Sequence, residues 1–451
     1  MPLHRLLLLF LVFGVFVAGL SGGVPPESIR EEARRRHALL IKEGYNLTYG
    51  WSLGPEIEKQ NLLLPLLVPE SKNEHQFSFW FEAKEGEASV RLASEGGKPL
   101  IDWSGRKGEM VVSCRIPAGR YVLEIHSIKV VEGRAEFGVK GSLVQQCNLD
   151  QDRCQEVSAS PSQGFHWPYL LFLPDAIKCR SLLVVPNNTG FAVENLDLLR
   201  ANGTCEIQRT LQLAQRLGCA VLVPLFPRPF ETGEGGNLYL HALSRASLLT
   251  QVESWKRVDL QLLGMVQSAR ARLEGMGVTT DPKIILSGFS ASGSFVNRFA
   301  MLHPEAVLAV SCGSPGGWPM VPANAIGDER LDYPLGSSDL QAITGRVLNS
   351  DALRQVRWYF FLGDQDTNDA THYRDSFTKA EEDLVNRHFG ATLPARWKHA
   401  EQLYARSGMH AQFALFPGVA HVVTLEIQED IARFFERCLA GTRMAPQTST
   451  K

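Results

Sequence analysis

The chain has 451 residues, a formal net charge of -2, and a composition that is 44% hydrophobic and 21% charged. That length predicts two or three domains, and that apolar content is enough to bury a sizeable core, which excludes a chain disordered throughout. The near-neutral charge offers no basic surface, so neither nucleic acid nor a stable membrane partner is expected.

At the N-terminus, His4 and Arg5 precede an unbroken apolar run over 6–20, and Ser21, Gly22 and Gly23 follow. A basic start, a short apolar stretch and small residues predict a secretory signal peptide over 1–22. The run is shorter than the roughly 20 residues a spanning helix needs, although an uncleaved anchor is the alternative. Export places the mature chain where disulfides are permitted. Among eight cysteines, Cys147 and Cys154 bracket a short polar loop and are the first pair to test. Residues 23–61 form an N-terminal segment whose charged, Arg-rich part predicts one surface helix over 29–43.

Residues 62–146 hold short alternating runs separated by turn signals such as Gly96-Gly97 and Pro117-Ala-Gly119. Period-two alternation with a turn about every ten residues predicts a small all-β sandwich, with Trp80 and Trp103 in its core. The polar stretch 147–168 is expected to be a linker. From 169 to 442 the pattern changes: near-continuous apolar runs alternate with long amphipathic stretches, and a polar tail covers 443–451. Such a pattern specifies an α/β domain with a mostly parallel sheet and helices on both faces. Ligands in such sheets sit at the carboxyl ends of the strands, so chemistry is sought immediately after each apolar run.

One stretch reads as strand, tight turn and helix, and at its turn stands Gly288-Phe-Ser290-Ala-Ser292-Gly293. This nearly matches the nucleophile elbow Gly-x-Ser-x-Gly, with Ser292 in place of the second glycine and Gly293 next in line. The elbow needs small residues because its turn is strained and neighbouring backbone comes close. It predicts Ser290 as a nucleophile, raised above the sheet at a helix N-terminus, with the Ala291 amide as an oxyanion donor.

A serine hydroxyl needs a base to take its proton, and on this pattern the acid and then the histidine follow later in the chain. The strand ending in Gly363-Asp-Gln-Asp366 offers Asp366 as the acid, with Asp364 as its rival and Asp369 trailing. The sequence Pro417-Gly-Val-Ala-His421 places His421 after a strand and a turn, just before the last amphipathic helix. His421 is the predicted base, with Asp366 fixing its tautomer. A second oxyanion donor is expected from the loop Pro186-Asn-Asn-Thr-Gly190, at Asn188 or Thr189. Asn187-Asn-Thr189 is also a glycosylation sequon, and a glycan there would block this site, which favours an unglycosylated setting.

The span 169–439 resembles secreted α/β-hydrolase esterases, especially the polyhydroxyalkanoate-depolymerase and feruloyl-esterase-like group. The resemblance rests on Tyr169-Leu-Leu-Phe-Leu-Pro174, the Ser290 elbow, Gly363-Asp-Gln-Asp366 and Pro417-Gly-Val-Ala-His421. The His-Gly common in the oxyanion loop of that group is replaced here by Asn187 and Asn188. What the resemblance implies is hydrolysis of a carboxylic ester, small or polymeric, by Ser290, His421 and Asp366 without metal or cofactor.

Around the expected mouth, Phe289 flanks the nucleophile and Trp318 follows the next strand, so both are candidate substrate contacts. Arg228 is placed either beside an acidic substrate group or in water, and His241 and Tyr333 in lid loops. Cys312 is expected to be a small buried residue. Two other functions stay open at this point: a peptidase or amidase on the same fold, and a non-catalytic binding protein.

Overall fold

The computed structural model describes residues 47–53, 59–68, 75–82, 85–94, 99–105, 107–114, 119–131, 133–140, 144–145, 153–188, 194, 196–229, 238–374 and 376–440. The expected signal peptide, the helix over 29–43, Thr189 and the tail over 443–451 lie outside them. Two compact units divide near residue 147, with residues 189–201 and 420–422 grouped with the first.

The first unit holds β1 (Leu47–Leu53), β2 (Lys59–Val68), β3 (His75–Glu82), β4 (Glu85–Ser94), β5 (Pro99–Gly105), β6 (Lys107–Cys114), β7 (Gly119–Val131), β8 (Gly133–Lys140) and β9 (Val144–Gln145). They pair antiparallel in two sheets, in the orders β1-β8-β3-β6 and β5-β4-β7-β2-β9. Trp103 of one sheet meets Phe79 and Phe81 of the other, with ring centroids 5.2 and 6.5 Å apart. Phe79, Trp80, Phe81, Val90, Leu92 and Tyr121 are buried. The β-rich part begins at Leu47 rather than at 62, because Leu47–Leu53 pairs residue for residue with β8.

The second unit is built on eight strands: β10 (Cys154–Val157), β11 (Tyr169–Phe172), β12 (Leu183–Val184), β13 (Val221–Pro224), β14 (Ile284–Phe289), β15 (Val307–Gly313), β18 (Arg357–Gly363) and β19 (His410–Phe416). A separate two-strand ribbon, β16 (Ala325–Ile326) and β17 (Glu329–Arg330), lies between β15 and β18 in the chain. The large sheet has the order β10-β11-β13-β12-β14-β15-β18-β19. Only β11 runs against its neighbours; every pair from β13 onward is parallel.

Successive side chains of a strand point to opposite faces, and all four residues of β11 and of β13 are buried. Both faces of the sheet are therefore covered, as the unbroken apolar runs require. The described helices are α1 (Leu196–Leu217), α2 (Arg245–Leu249), α3 (Val258–Gly275), α4 (Ala291–Leu302), α5 (Leu340–Thr344), α6 (Ser350–Gln355), α7 (Lys379–Phe389), α8 (Leu393–Arg406) and α9 (Leu425–Leu439). In α9, Ile427, Ile431, Phe434, Phe435 and Leu439 fall on one buried stripe, and Thr424 caps the start by accepting the Ile427 N–H. In α7, Thr378 and Glu381 form a reciprocal capping box. Helix α4 differs in kind: all twelve of its residues are buried. No described helix is long and apolar enough to cross a membrane.

The stretch 147–168 is not wholly a linker. Its β10 pairs through four residues with β11, from Cys154↔Phe172 to Val157↔Tyr169. The polar sequence is explained by position, since an edge strand with only Val157 buried needs no apolar run. The Cys147–Cys154 pairing is also corrected: Cys154 carries an unbridged thiol, whereas Cys205 in α1 is disulfide-bonded. A truncated chain beginning at Asn148 is expected to unfold cooperatively at a higher urea midpoint than one beginning at Ser158, which lacks β10. Equal midpoints would mean that β10 adds nothing to the sheet.

Candidate active site

Strand β14 ends at Phe289 and α4 begins at Ala291, so Ser290 makes the whole turn. Its backbone sits at φ 61° and ψ -124°, in the half of φ space that a side chain disfavours. Holding an L-residue there costs about 1–3 kcal/mol and requires that the surroundings over-determine it. They do. The Ser290 N–H donates to the carbonyl of Gly313 at 2.9 Å, and its carbonyl accepts the Ser294 N–H at 3.0 Å. A Cβ on Gly288 would lie 2.2 Å from the Ser292 carbonyl oxygen, and one on Gly293 would lie 2.3 Å from that of Gly313. Only glycine fits either position, so α4 packs directly on the ends of β14 and β15.

This resolves the departure from the elbow pattern. The close backbone approach falls at Gly293, one residue later than the pattern places it. At 292 a side chain is needed: the Ser292 hydroxyl accepts the Phe289 N–H at 3.0 Å and donates to the Phe289 carbonyl at 2.9 Å, pinning the turn. Ala291 is the first residue of α4, where backbone amides have no acceptor within the helix.

The three acids after β18 have distinct surroundings. Asp364, half-buried, accepts the Gly418 N–H at 2.7 Å and so ties its loop to the turn after β19. Two backbone bonds reinforce this tie, Asp364 N–H to the Phe416 carbonyl and Gln365 N–H to the Val419 carbonyl, both 3.0 Å. Asp369 pairs with the buried Arg396 guanidinium at 2.8 Å and caps the Thr371 N–H. Burial raises the Asp369 carboxyl, but the bonds from Arg396 and Thr371 outweigh it and hold it below the usual range. Asp366 is buried, and one carboxylate oxygen accepts the Asn368 N–H at 2.9 Å. His421 follows the Pro417–Val419 turn closely in the chain and is buried too, at 2% exposure.

The loop after β12 is fastened by Asn187. Its side chain donates to the Phe226 carbonyl at 2.8 Å and accepts the Phe226 N–H at 3.2 Å, so this amide is spent on the strand end beside it. The carbonyl of the next residue, Asn188, accepts from the Asn202 side chain at 3.1 Å. His241 joins the lock: its Nε2 lies 2.7 Å from the same Phe226 carbonyl and therefore carries the proton.

Several expectations at the mouth are corrected. Trp318 is fully buried, stacked 4.0 Å from Phe389 with its indole donating to the Leu335 carbonyl, so it does not overhang the serine. Tyr333 and His241 are buried as well and do not form lids. Arg228 lies over the Tyr239 ring at 4.0 Å. Phe289 remains half-buried beside the elbow, stacked on Phe361. Cys312 is buried, and burial pushes its thiol far up, so it stays protonated. A cavity of about 360 Å3 lined by Val157, Ser160, Phe165 and Arg272 holds none of these residues.

A sheet with this order, its second strand reversed and a strained serine turn after its fifth, has the α/β-hydrolase fold. No protein-family model matches the chain, and no curated protein is detectably similar to it. Among solved structures it is similar to poly(aspartic acid) hydrolase-1 from a Sphingomonas species, at 16% identity and TM-score 0.42, over 62% of this chain and 97% of that one. It is similar to a poly(3-hydroxybutyrate) depolymerase from Bordetella parapertussis at 20% identity and TM-score 0.42, over 65% and 90%. A thermostable esterase covers 83% of this chain and 95% of its own at 14% identity and TM-score 0.39.

Burial holds the His241 imidazole neutral; despite the Phe226 carbonyl, its pKa is lowered to about 3, with the nearby Arg228 adding to the effect. An unfolded histidine takes its proton near pH 6.5, so the unfolded state binds more protons between these two values. Stability is therefore full above about pH 6.5 and falls by about 1.4 kcal/mol per pH unit as pH drops below it. Urea unfolding at pH 7, 6 and 5 should show a shallower decline in His241→Gln than in the wild type; parallel curves would contradict a neutral buried His241.

Proposed function

We propose that this protein is an exported serine hydrolase that cleaves carboxylic esters, with Ser290 as nucleophile, His421 as base and Asp366 as the acid. The observation that carries this reading is the backbone of Ser290. An ordinary serine between a strand and a helix has no reason to be held at φ 61°. An elbow that must present a hydroxyl at the carboxyl edge of the sheet does.

The chemistry follows from the residues. His421 removes the Ser290 proton as Oγ attacks the ester carbonyl carbon. The resulting oxyanion accepts hydrogen bonds from the Ala291 N–H and from a donor at Asn188 or Thr189. The intermediate collapses by breaking the carbon–oxygen bond, and the leaving alkoxide takes the proton from His421. Water repeats the sequence on the acyl-enzyme and restores Ser290. These steps call on no cofactor. Asp366 is the acid in this reading because it is buried, while Asp364 serves the Gly418 turn and Asp369 serves Arg396. Phe289 is the retained candidate for an apolar substrate contact. The β-rich unit over 47–145 is an accessory module in this account, and the substrate is a small-molecule or polymeric ester.

Rates on a soluble chromogenic ester test the assignment. Ser290→Ala should lose at least about 10³-fold in kcat, and Asp366→Asn about 10⁴-fold, through the wrong imidazole tautomer. Asp364→Asn should change the rate far less and act mainly on stability. A fully active Ser290→Ala would end the proposal, and a reversal of the two aspartates would move the acid to Asp364.

A further inference from the structure

Strands β12 and β13 are parallel neighbours, with Leu183 opposite Val221. Just ahead of each stands a buried cysteine, Cys179 before β12 and Cys219 before β13, exposed by 4% and 0%. The backbones there are locked together: the N–H groups of Lys178 and Cys179 both donate to the Gly218 carbonyl, at 2.9 and 3.0 Å. Gly218 is itself fixed, since it has φ 67° and a Cβ on it would lie 2.8 Å from Lys178. Neither cysteine lies near the proposed chemistry, which belongs to the opposite ends of these strands. Both are free thiols in this structure, with the Cys179 thiol donating to the Ser181 carbonyl at 3.4 Å; interaction with Cys179, and then burial, pushes the Cys219 thiol up. A third cysteine, Cys205 on the α1 crossover between the same two strands, is already disulfide-bonded. A disulfide on this segment marks a chain that matures in an oxidising compartment.

We propose that Cys179 and Cys219 form a second disulfide, a staple across the starts of β12 and β13 that is made as the chain folds after export. Both S–H bonds break and one Sγ–Sγ bond forms. The two electrons and two protons pass to the disulfide of a thiol oxidoreductase, which becomes a dithiol by exchange. The bond forms before the core closes, because neither sulfur is accessible afterwards. It closes a long loop that contains α1, so it constrains the unfolded chain. It also lies at the far ends of the two strands that carry Asn187 and Phe226, and so steadies their lock without touching the reacting groups.

The test is peptide mapping of the full chain exported through an oxidising compartment and denatured in N-ethylmaleimide without reductant. The expected result is a peptide pair joined through Cys179 and Cys219, released by reductant, while Cys312 takes the label. Label on both Cys179 and Cys219, or a link from either to any other cysteine, overturns the proposal. Melting provides a second reading. Cys179→Ala should melt several degrees below the oxidised wild type while keeping its kcat, and reduction should lower the melting point of the wild type further than that of Cys179→Ala. If that variant does not fold, the map of the wild type still decides.

Discussion

The structure of the second unit depends on one close contact, the packing of the start of α4 against the ends of β14 and β15. Gly293 meets the Gly313 carbonyl with no room for a methyl group, and Ser290 donates to that same carbonyl. The contact leaves Ser290 no favourable backbone conformation, and the cost is borne by a helix with every residue buried. Two of its polar residues are anchored to neighbours: Asn297 receives the Met320 N–H and donates to the Tyr404 hydroxyl, and Arg298 donates to the Ala242 carbonyl. A helix held this firmly cannot slide to relieve the turn, so the serine stays where the sheet puts it.

The loops around the serine are positioned by separate ties that use different side chains. Asn187 and His241 converge on one carbonyl, that of Phe226. Asp364 fastens the loop after β18 to the turn after β19. Arg396 fastens the same loop further on, through Asp369, and also donates to the Gly317 carbonyl and to Asn386. A buried Arg–Asp pair is a poor source of net stability, yet it is costly to break from one side. Its value here is to hold two loops in one arrangement. Asp364 and Asp369 are thus both committed to holding loops.

The parallel sheet was legible because its strands are buried on both faces and read as unbroken apolar runs. The elbow was legible because a strained turn demands small residues at fixed spacing. What escaped the sequence depends on tertiary partners. Edge strand β10 buries only Val157 and so looks like a linker, and β1 is recognisable only once β8 is there to pair with it. Trp318 follows a strand, which places it near the site in sequence logic, but Phe389 and the Leu335 carbonyl draw its indole into the core. His241 and Tyr333 were misplaced in lids for the same reason. The one-residue displacement from Ser292 to Gly293 needed the Gly313 carbonyl to be seen before it made sense.

The central claim is that the strained turn makes Ser290, among several serines in one stretch, the nucleophile. Mapping the site of covalent attachment of a fluorophosphonate probe tests it most directly. The account predicts a single adduct on Ser290, with Ser292 and Ser294 unmodified and no labelling after heat denaturation. An adduct on another serine, or none on a folded protein that still hydrolyses esters, would contradict it.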